Sequence, residues 1–439
     1  MLNRRTVLLG AAAGGLLAGF QGRPAWAGER RLVVLTSYPQ EMISHYVDAF
    51  QKRHPGVRVD IVWLSGHDAR DYLLGEGRGK VDVFWAPNMP VFLDLAGRGD
   101  FRPLRIDRAG LPDRLGRQEI SDPQGRFLAT EVAGYGLVFN PARLAAAGLP
   151  EPANWDDLAK PAYAGQVVMP DLSVLGFGPT VIEIVLQHKG WAAGWALLAR
   201  IAGNGVLETA HGDDLMDLLM HGDKSIGITI DFFADQAIAR GVPLKFVYPP
   251  ANAFEPADIA ILKDAPNAGA ARQYVSFVLS EAGQRLLIDP DLRRLAIRPA
   301  VYGSAPSGYF NPWASAFAGA LDFDSAVFAR RKAVDMAVFR TMIADPAPRT
   351  GPLWAQARAL SARPLPAPAR ALLRTATEAL TRPPLTEAEA APLFESWRWQ
   401  DQDAKAVTAV TTVWAARMDQ AVKTAAQALA QADQAAKAG

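Results

Sequence analysis

From residue 31 onward the apolar positions alternate between two textures. Short β-branched runs at 31–35, 57–64 and 81–85 each give way to a polar loop and then to apolar residues spaced three and four apart. Ile43, Tyr46, Val47 and Phe50 make the first such stripe, and the helix it predicts is stopped by His54-Pro55-Gly56. A helix over 89–96 is predicted after the third run and its loop, Ala86-Pro87-Asn88. Strand, loop and helix repeating at this spacing predict a mostly parallel sheet whose ligand loops lie at the carboxyl ends of the strands.

Residues 131–140 differ in kind, being strand-like throughout and carrying Gly134-Tyr135-Gly136. After them the alternation restarts with a strand at 166–169, a loop at 170–178 and a helix over 179–189 opened by proline. Residues 226–230 read as a buried strand, with a helix beginning near Asp231 and another strand at 245–248. A proline-punctuated segment, 249–256, then leads to a strand at 258–262 and one amphipathic helix over 268–288. The pattern predicts an α/β chain with one lobe at 28–134 and 251–320 and a second at 135–250. Two crossovers between them make a hinge.

From about residue 321 the texture becomes Ala-rich and helical, broken at Pro346 and Pro348, at Pro364, Pro366 and Pro368, and at Pro383-Pro384. This predicts a helical C-terminal extension, 321–439. Thr386 and Glu389 have capping-box spacing. Val407, Val410, Trp414, Met418 and Val422 form one stripe of a long helix, suited to packing on the main body or to a partner. Residues 425–439 carry almost no large apolar groups, which predicts a frayed end.

Composition changes the picture in three places. Lys plus Arg number 46 against 45 acidic residues, a balance that removes nucleic acid as an expected partner. Residues 1–27 read as a cleaved export signal, with Arg4 and Arg5 before an apolar run and Ala25-Trp26-Ala27 as the cleavage site. The paired arginines fit the twin-arginine route and also an ordinary secretory signal. The chain has no cysteine, and no later apolar run of spanning length, so a soluble periplasmic product is expected.

Candidate chemistry is that of binding. The sequence has no G-x-S-x-G elbow, no G-x-x-x-x-G-K-[ST] loop and no H-E-x-x-H, and its six histidines show no paired ligand spacing. Neither an enzyme, a cofactor nor a metal site is expected. Asp231 stands where a carboxylate either caps the following helix or accepts from an amine or hydroxyl of a ligand. Phe232 and Phe233 suit core or stacking positions. Ser173 and the run Gly176-Phe177-Gly178-Pro179-Thr180 lead into a helix N-terminus, where free amides and the helix dipole favour an anion, as well as being an ordinary helix start.

A series of short motifs in fixed order resembles the extracytoplasmic solute-binding proteins of ABC importers. They are Thr36-Ser37-Tyr38-Pro39, the F-x-x-x-x-P-G-V turn from Phe50 to Val57, Gly136-Leu137-Val138-Phe139-Asn140, Asn154-Trp155-Asp156-Asp157-Leu158 and Gly165-Gln166-Val167-Val168-Met169-Pro170. Gly190-Trp191, Gly194-Trp195 and Phe277-Val278-Leu279-Ser280-Glu281-Ala282-Gly283-Gln284 continue the series. The resemblance is to the cluster of ferric-iron, polyamine, thiamine, phosphonate and sugar-phosphate binders. The helical extension makes it most similar to the phosphoglycerate-transport regulatory proteins.

The resemblance implies a type 2 periplasmic binding protein fold that clamps a solute between two lobes by hinge closure. It places the 170–178 loop in the cleft, which makes Ser173, Gly176 and Phe177 candidate ligand residues, with Ser37, Tyr38 and Asn88 opposite and Tyr135 near the crossover. Tyr135 also suits plain hinge packing. The ferric binders carry consecutive tyrosines where this chain has Asp231-Phe232-Phe233, and phenyl rings do not ligate a hard trivalent ion. The expected ligand is therefore a small anionic organic solute, phosphorylated or a phosphonate, with a polyamine or thiamine-like cation as the alternative. The implied partner of this monomer is an inner-membrane ABC permease. A membrane sensor kinase, to which the protein reports ligand occupancy, is the alternative.

Overall fold

The computed structural model describes residues 30–208, 212–314, 322–397 and 404–438. The export signal expected at 1–27 lies outside the described residues.

Eleven strands form one sheet among the described residues, and a single strand holds its two halves together. The chain begins with β1 (Arg30–Thr36), α1 (Gln40–Arg53), β2 (Val57–Trp63), α2 (Gly66–Leu74), β3 (Val83–Ala86), α3 (Met89–Arg98) and the short β4 (Phe101–Arg102). Strand β1 pairs in parallel with both β2 and β3, as the strand–loop–helix alternation requires. A small ribbon, β5 (Arg114–Leu115) with β6 (Gln118–Glu119), precedes the central strand β7 (Phe127–Phe139).

After β7 come α4 (Pro141–Ala146), β8 (Val167–Pro170), α5 (Gly178–Lys189), α6 (Trp191–Asn204), β9 (Gly205–Glu208) and α7 (Gly212–His221). Next are β10 (Ile226–Ile230), α8 (Asp231–Ala239) and β11 (Lys245–Val247), and then the returning strand β12 (Phe254–Leu262). Helices α9 (Ala268–Leu279) and α10 (Glu281–Leu287) lead to β13 (Leu295–Ala296). The strand order β2-β1-β3-β12-β7-β10-β8-β9 shows how the halves meet. The first half of β7, to Gly134, runs antiparallel to β12, and the second half, from Tyr135, runs antiparallel to β10. Separate apolar cores follow, one around Phe84, Trp85 and Phe92 in the first half and, in the second, one around Trp195, Val167 and Ile228 and a smaller one around Val138, Val168 and Leu219. This is the two-lobed α/β fold with crossing strands that the sequence predicts.

Three local expectations change. The strand expected from Glu131 begins at Phe127, because Phe127 and Leu128 are needed to cover β12 and are buried there. The single helix expected over 268–288 is two, since Ser280 leaves the helical conformation and its side chain caps α10 at the Gly283 amide. Proline at 179 is the second residue of α5, which starts at Gly178.

The extension consists of α11 (Ser325–Phe339), a π-helical turn at Arg340–Ala344, α12 (Ala347–Ser361), α13 (Ala367–Thr381), α14 (Glu387–Ser396) and α15 (Ala404–Ala438). Thr386 and Glu389 form the reciprocal capping box of α14. Trp414, Met418 and Val422 are buried, so the stripe on α15 packs against the body of the protein. The end expected to fray is instead helical to Ala438, with Ala425, Ala428, Leu429 and Ala432 buried beside Ala369 and Ala376 of α13. Alanines on both helices bring their backbones close enough for small side chains to fill the seam. The extension is seated on α6: the indole of Trp354 covers Gly203, where a Cβ would lie 2.5 Å from the ring, and Arg358 donates to the Gly203 carbonyl.

Candidate functional site

The loops after β1, β3, β8 and β10 open at the carboxyl ends of their strands, where sheets of this kind hold ligands. The two crossing strands β7 and β12 join the halves of the sheet that carry these loops. Three linked clusters of polar side chains occupy this junction.

The first is centred on Glu131 of β7, which is 2 % exposed. Its Oε1 accepts from the Tyr38 hydroxyl at 2.8 Å and from Arg294 Nη1 at 2.7 Å. The Arg294 guanidinium lies 4.1 Å from the ring centre of Phe232 and 5.3 Å from that of Tyr38. It therefore joins a ring from one lobe to a ring from the other. Burial and the Glu131 charge hold the Tyr38 phenol well above its ordinary range.

The second cluster surrounds Asp231, which is 2 % exposed. Its Oδ2 accepts from the Gly134 amide at 2.6 Å and from the Tyr248 hydroxyl at 3.1 Å, while Oδ1 accepts from the Phe232 amide at 2.7 Å. Burial, reinforced by the charge of Asp235, pushes Asp231 up to about 8, and the three donors pull the other way. Burial likewise pushes Asp235 up to about 6, opposed by Arg293. The cap weighed for Asp231 is not what is seen. The N-cap residue of α8 is Ile230, and the Asp231 carboxylate ties α8 back to the crossing strand at Gly134.

In the third cluster, Glu255 of β12 accepts from the hydroxyls of Tyr135 and Thr180, so one carboxylate oxygen gathers β7, α5 and β12. Tyr135 is 1 % exposed, and its ring centre is 6.2 Å from that of Phe177. Burial and then the Glu255 charge raise the Tyr135 phenol.

Tyr135, Phe177 and Asp231 thus come together at the junction, and Tyr38 joins them through Arg294 and Phe232. The other sequence candidates stand outside these contacts. Ser37 is exposed and Asn88 half-buried, its side chain making no cap on α3. Ser173 turns its amide and hydroxyl onto Asp171 Oδ1, at 2.9 and 2.6 Å, and Gly176 is exposed. The start of α5 differs from the expected anion cradle. The Gly178 amide donates to Leu175, Pro179 has none, and the Thr180 and Val181 amides donate to Phe177. Gly178 is needed because a Cβ there would lie 2.1 Å from the Leu172 carbonyl oxygen.

Sequence reasoning did not single out Glu131, Tyr248, Glu255 or Arg294. The available signal was charge inside an apolar run, since Glu131 and Glu255 interrupt strands that are otherwise buried. Among the described residues no group of three or more His, Cys, Asp or Glu side chains could hold a metal ion.

A profile described as bacterial extracellular solute-binding protein matches residues 80–300, which takes in β7, β12 and every residue of the three clusters except Tyr38. The chain belongs to this family. Family and fold are those of binding proteins. The Phosphoglycerate transport regulatory protein PgtC of Salmonella typhimurium is 36 % identical over 172 residues, covering 39 % of this chain and 43 % of that protein. An uncharacterized protein of Haemophilus influenzae is 30 % identical over 174 residues, covering 38 % of this chain and 50 % of the other. The match therefore spans half or less of the length of these curated relatives.

Solved structures share the fold. Iron-bound HitA from Pseudomonas aeruginosa superimposes with a TM-score of 0.54 at 18 % identity, over 65 % of this chain and 91 % of its own. The periplasmic binding protein AfuA from Actinobacillus pleuropneumoniae, with exogenous fructose-6-phosphate bound, gives 0.54 at 18 % over 68 % and 93 %. No helix among the described residues is long and apolar enough to cross a membrane.

Proposed function

We propose that this protein is the periplasmic substrate-binding component of an ABC importer. It takes a small phosphorylated or phosphonate organic solute between a lobe at 28–134 and 251–320 and a lobe at 135–250, and delivers it to an inner-membrane permease. It acts as a monomer and catalyses no reaction. The observation that carries this reading is the junction itself, where Asp231 and Glu255 each join elements of both halves, and Arg294, bonded to Glu131, lies over Phe232 of the second half, within a chain of this family. A solute entering there meets groups whose arrangement depends on the angle between the lobes, which is what closure by a ligand requires. The anionic class draws on the likeness to PgtC, on the phenyl rings at 232 and 233, and on Arg293 and Arg294 at the junction. With the α5 amides already bonded, side-chain cations rather than a helix end would hold the anion.

Within the proposed site, Tyr38, Tyr135, Phe177 and Asp231 form the inner wall, and Ser37, Asn88, Ser173 and Gly176 the rim that a solute meets first. A thermal-shift and calorimetry screen with 3-phosphoglycerate, fructose 6-phosphate, aminoethylphosphonate, spermidine, thiamine and ferric citrate tests the reading. Stabilisation by one of the organophosphates or the phosphonate is expected. Stabilisation by spermidine or thiamine alone would move the ligand to the cationic class, which the carboxylates at 131, 231, 235 and 255 could serve. A second reading, that the protein reports occupancy to a membrane sensor kinase, is favoured by the large helical extension and by the regulatory name of the relative. Deleting 321–439 separates the two. Loss of a transcriptional response with uptake retained supports the sensor, and loss of neither removes it.

A further inference from the structure

The junction loops stand at the carboxyl edge of the sheet. At the opposite edge of the first half, positive charge gathers without a partner. A cleft of about 680 Å³ is lined by Arg30, which opens β1, by Arg53 and His54 at the end of α1, by Arg105 just after β4, and by Arg272 of α9. β1 carries the chain roughly 20 Å from Arg30 to the loop that holds Tyr38, so the cleft is remote from the three junction clusters. No carboxylate lines it. Among the described residues none of the four arginines forms an ion pair, whereas others in this half do, Arg31 with Asp60 and Arg78 with Asp264. Arg30, Arg105 and Arg272 are exposed and spend no side-chain donor on the described protein. Arg53 is the fixed member. It donates to the Ala49 carbonyl at 3.0 Å, and its guanidinium lies 5.2 Å from the ring centre of Phe277, a buried residue that also lines the cleft.

Helix α9 adds two features. Gly269, in its first turn, lines the cleft, so the positive end of this helix lies there, and Asn267 makes no side-chain cap on it. Gln273, one turn on, has its amide oxygen shut off from solvent with no protein donor, so the cleft offers an acceptor beside its cations. Like charges around one concavity repel, weakly while solvated, and the repulsion turns into attraction when an ion with several negative charges enters.

We infer that this cleft is an anion site separate from the solute junction and that its ligand is a phosphate group, its oxygens taken by the guanidinium forks of Arg53, Arg105 and Arg272 and its one O–H donated to the Gln273 oxygen. All the permanent cations are arginines, whose planar forks meet two phosphate oxygens at once. The inference does not depend on the proposed function. A phosphate held there joins the start of β1, the end of α1 and the start of α9, segments far apart in the chain, and so braces the first lobe. The group can come from a free polyphosphate or from a lipid headgroup, and the experiment separates the two sources.

The test is calorimetric titration with inorganic pyrophosphate at low ionic strength, on the wild-type protein and on the double variant Arg105→Gln with Arg272→Gln. Phenylglyoxal labelling of arginines, mapped by mass spectrometry, locates the ion. Both substituted residues are exposed and unpaired, so without the anion the double variant should melt as the wild type does. Pyrophosphate should bind the wild type and slow labelling at Arg53, Arg105 and Arg272, leaving the exposed Arg374 of the extension unchanged. The double variant should bind it at least about tenfold more weakly. Flotation with phosphatidylglycerol vesicles, against phosphatidylcholine vesicles, gives the source. Flotation that the double substitution abolishes assigns the phosphate to a lipid headgroup, and pyrophosphate binding without flotation assigns it to a free ion. Binding by the double variant within about threefold of wild type, labelling slowed equally at Arg374, or no effect of either pyrophosphate or phosphatidylglycerol overturns the inference.

Discussion

The contact between α5 and α11 contains a titration that can be worked through. Glu183 and Asp335 are both fully buried, and none of their four carboxyl oxygens receives a hydrogen bond from another protein donor. Arg331, at 3.6 Å from Glu183, is the nearest cation, and Glu387 adds a negative charge near it. Burial raises both carboxyls, and for Asp335 the facing Glu183 charge raises it further. The stable arrangement is one proton shared between the two. In the unfolded chain both are ionised above about pH 5. The folded protein then carries one more proton at this pair than the unfolded chain, so the pair's contribution to stability is greatest at low pH and is lost as pH rises toward the raised folded-state range, at up to about 1.4 kcal/mol per pH unit.

Glu183→Gln removes the requirement for that proton, because the amide can donate to Asp335 directly. Above about pH 5, and until the raised folded-state range is reached, the wild type should therefore lose up to about 1.4 kcal/mol per pH unit relative to Glu183→Gln. Urea unfolding of both proteins across this range, followed by circular dichroism, measures the difference because every other titrating group is common to the pair. Parallel profiles, with a difference that does not grow with pH, would refute the shared proton.

Asp231→Ala leaves the amides of Gly134 and Phe232 and the Tyr248 hydroxyl without their acceptor. It should cost about 2–4 kcal/mol in chemical unfolding, and a loss below about 0.5 kcal/mol would mean that the tie is not structural. Arg294→Ala strands a buried Glu131 and should cost about 3–5 kcal/mol, most of it recovered by adding Glu131→Gln; no recovery would show that the two act independently. Gly203→Leu drives a side chain into the Trp354 indole, so the extension should become sensitive to limited proteolysis while the sheet melts as before. Digestion at the wild-type rate would show that Trp354 does not seat it.

Periodicity was enough to place the strands and helices of both lobes, because each buries one face against a single sheet. It failed where a residue answers to something distant. From sequence, strand β7 reads as starting at Glu131, four residues late, since Thr130 and Glu131 interrupt the apolar run and their partners Trp85 and Arg294 are remote in the chain. Asp231 reads from sequence as a cap or a ligand residue because the sequence shows the turn into α8 but not Gly134, which sits 97 residues away. The C-terminal alanines looked too small to pack, and that judgement ignored the equally small face of α13. Ser280 could have been found, since serine two residues before Ala282 and three before Gly283 is an N-cap pattern inside an apolar stripe.

The position of β12 in the sheet also sets an order of assembly. β3 lies between β1 and β12, and β12 is made only after every strand of the second lobe, β11 included. A ribosome adding about 5–20 residues each second needs roughly 10–30 s to cover the roughly 170 residues between them. Throughout that interval Val83, Phe84, Trp85 and Ala86, all buried at the end, line an open β-edge. The second lobe closes within a continuous stretch of chain, whereas the first waits for a strand supplied from beyond it. A factor that holds unfinished chains would find its longest-lived substrate at the edge of β3, and slow steps in refolding should be sought in the pairing of β3 with β12.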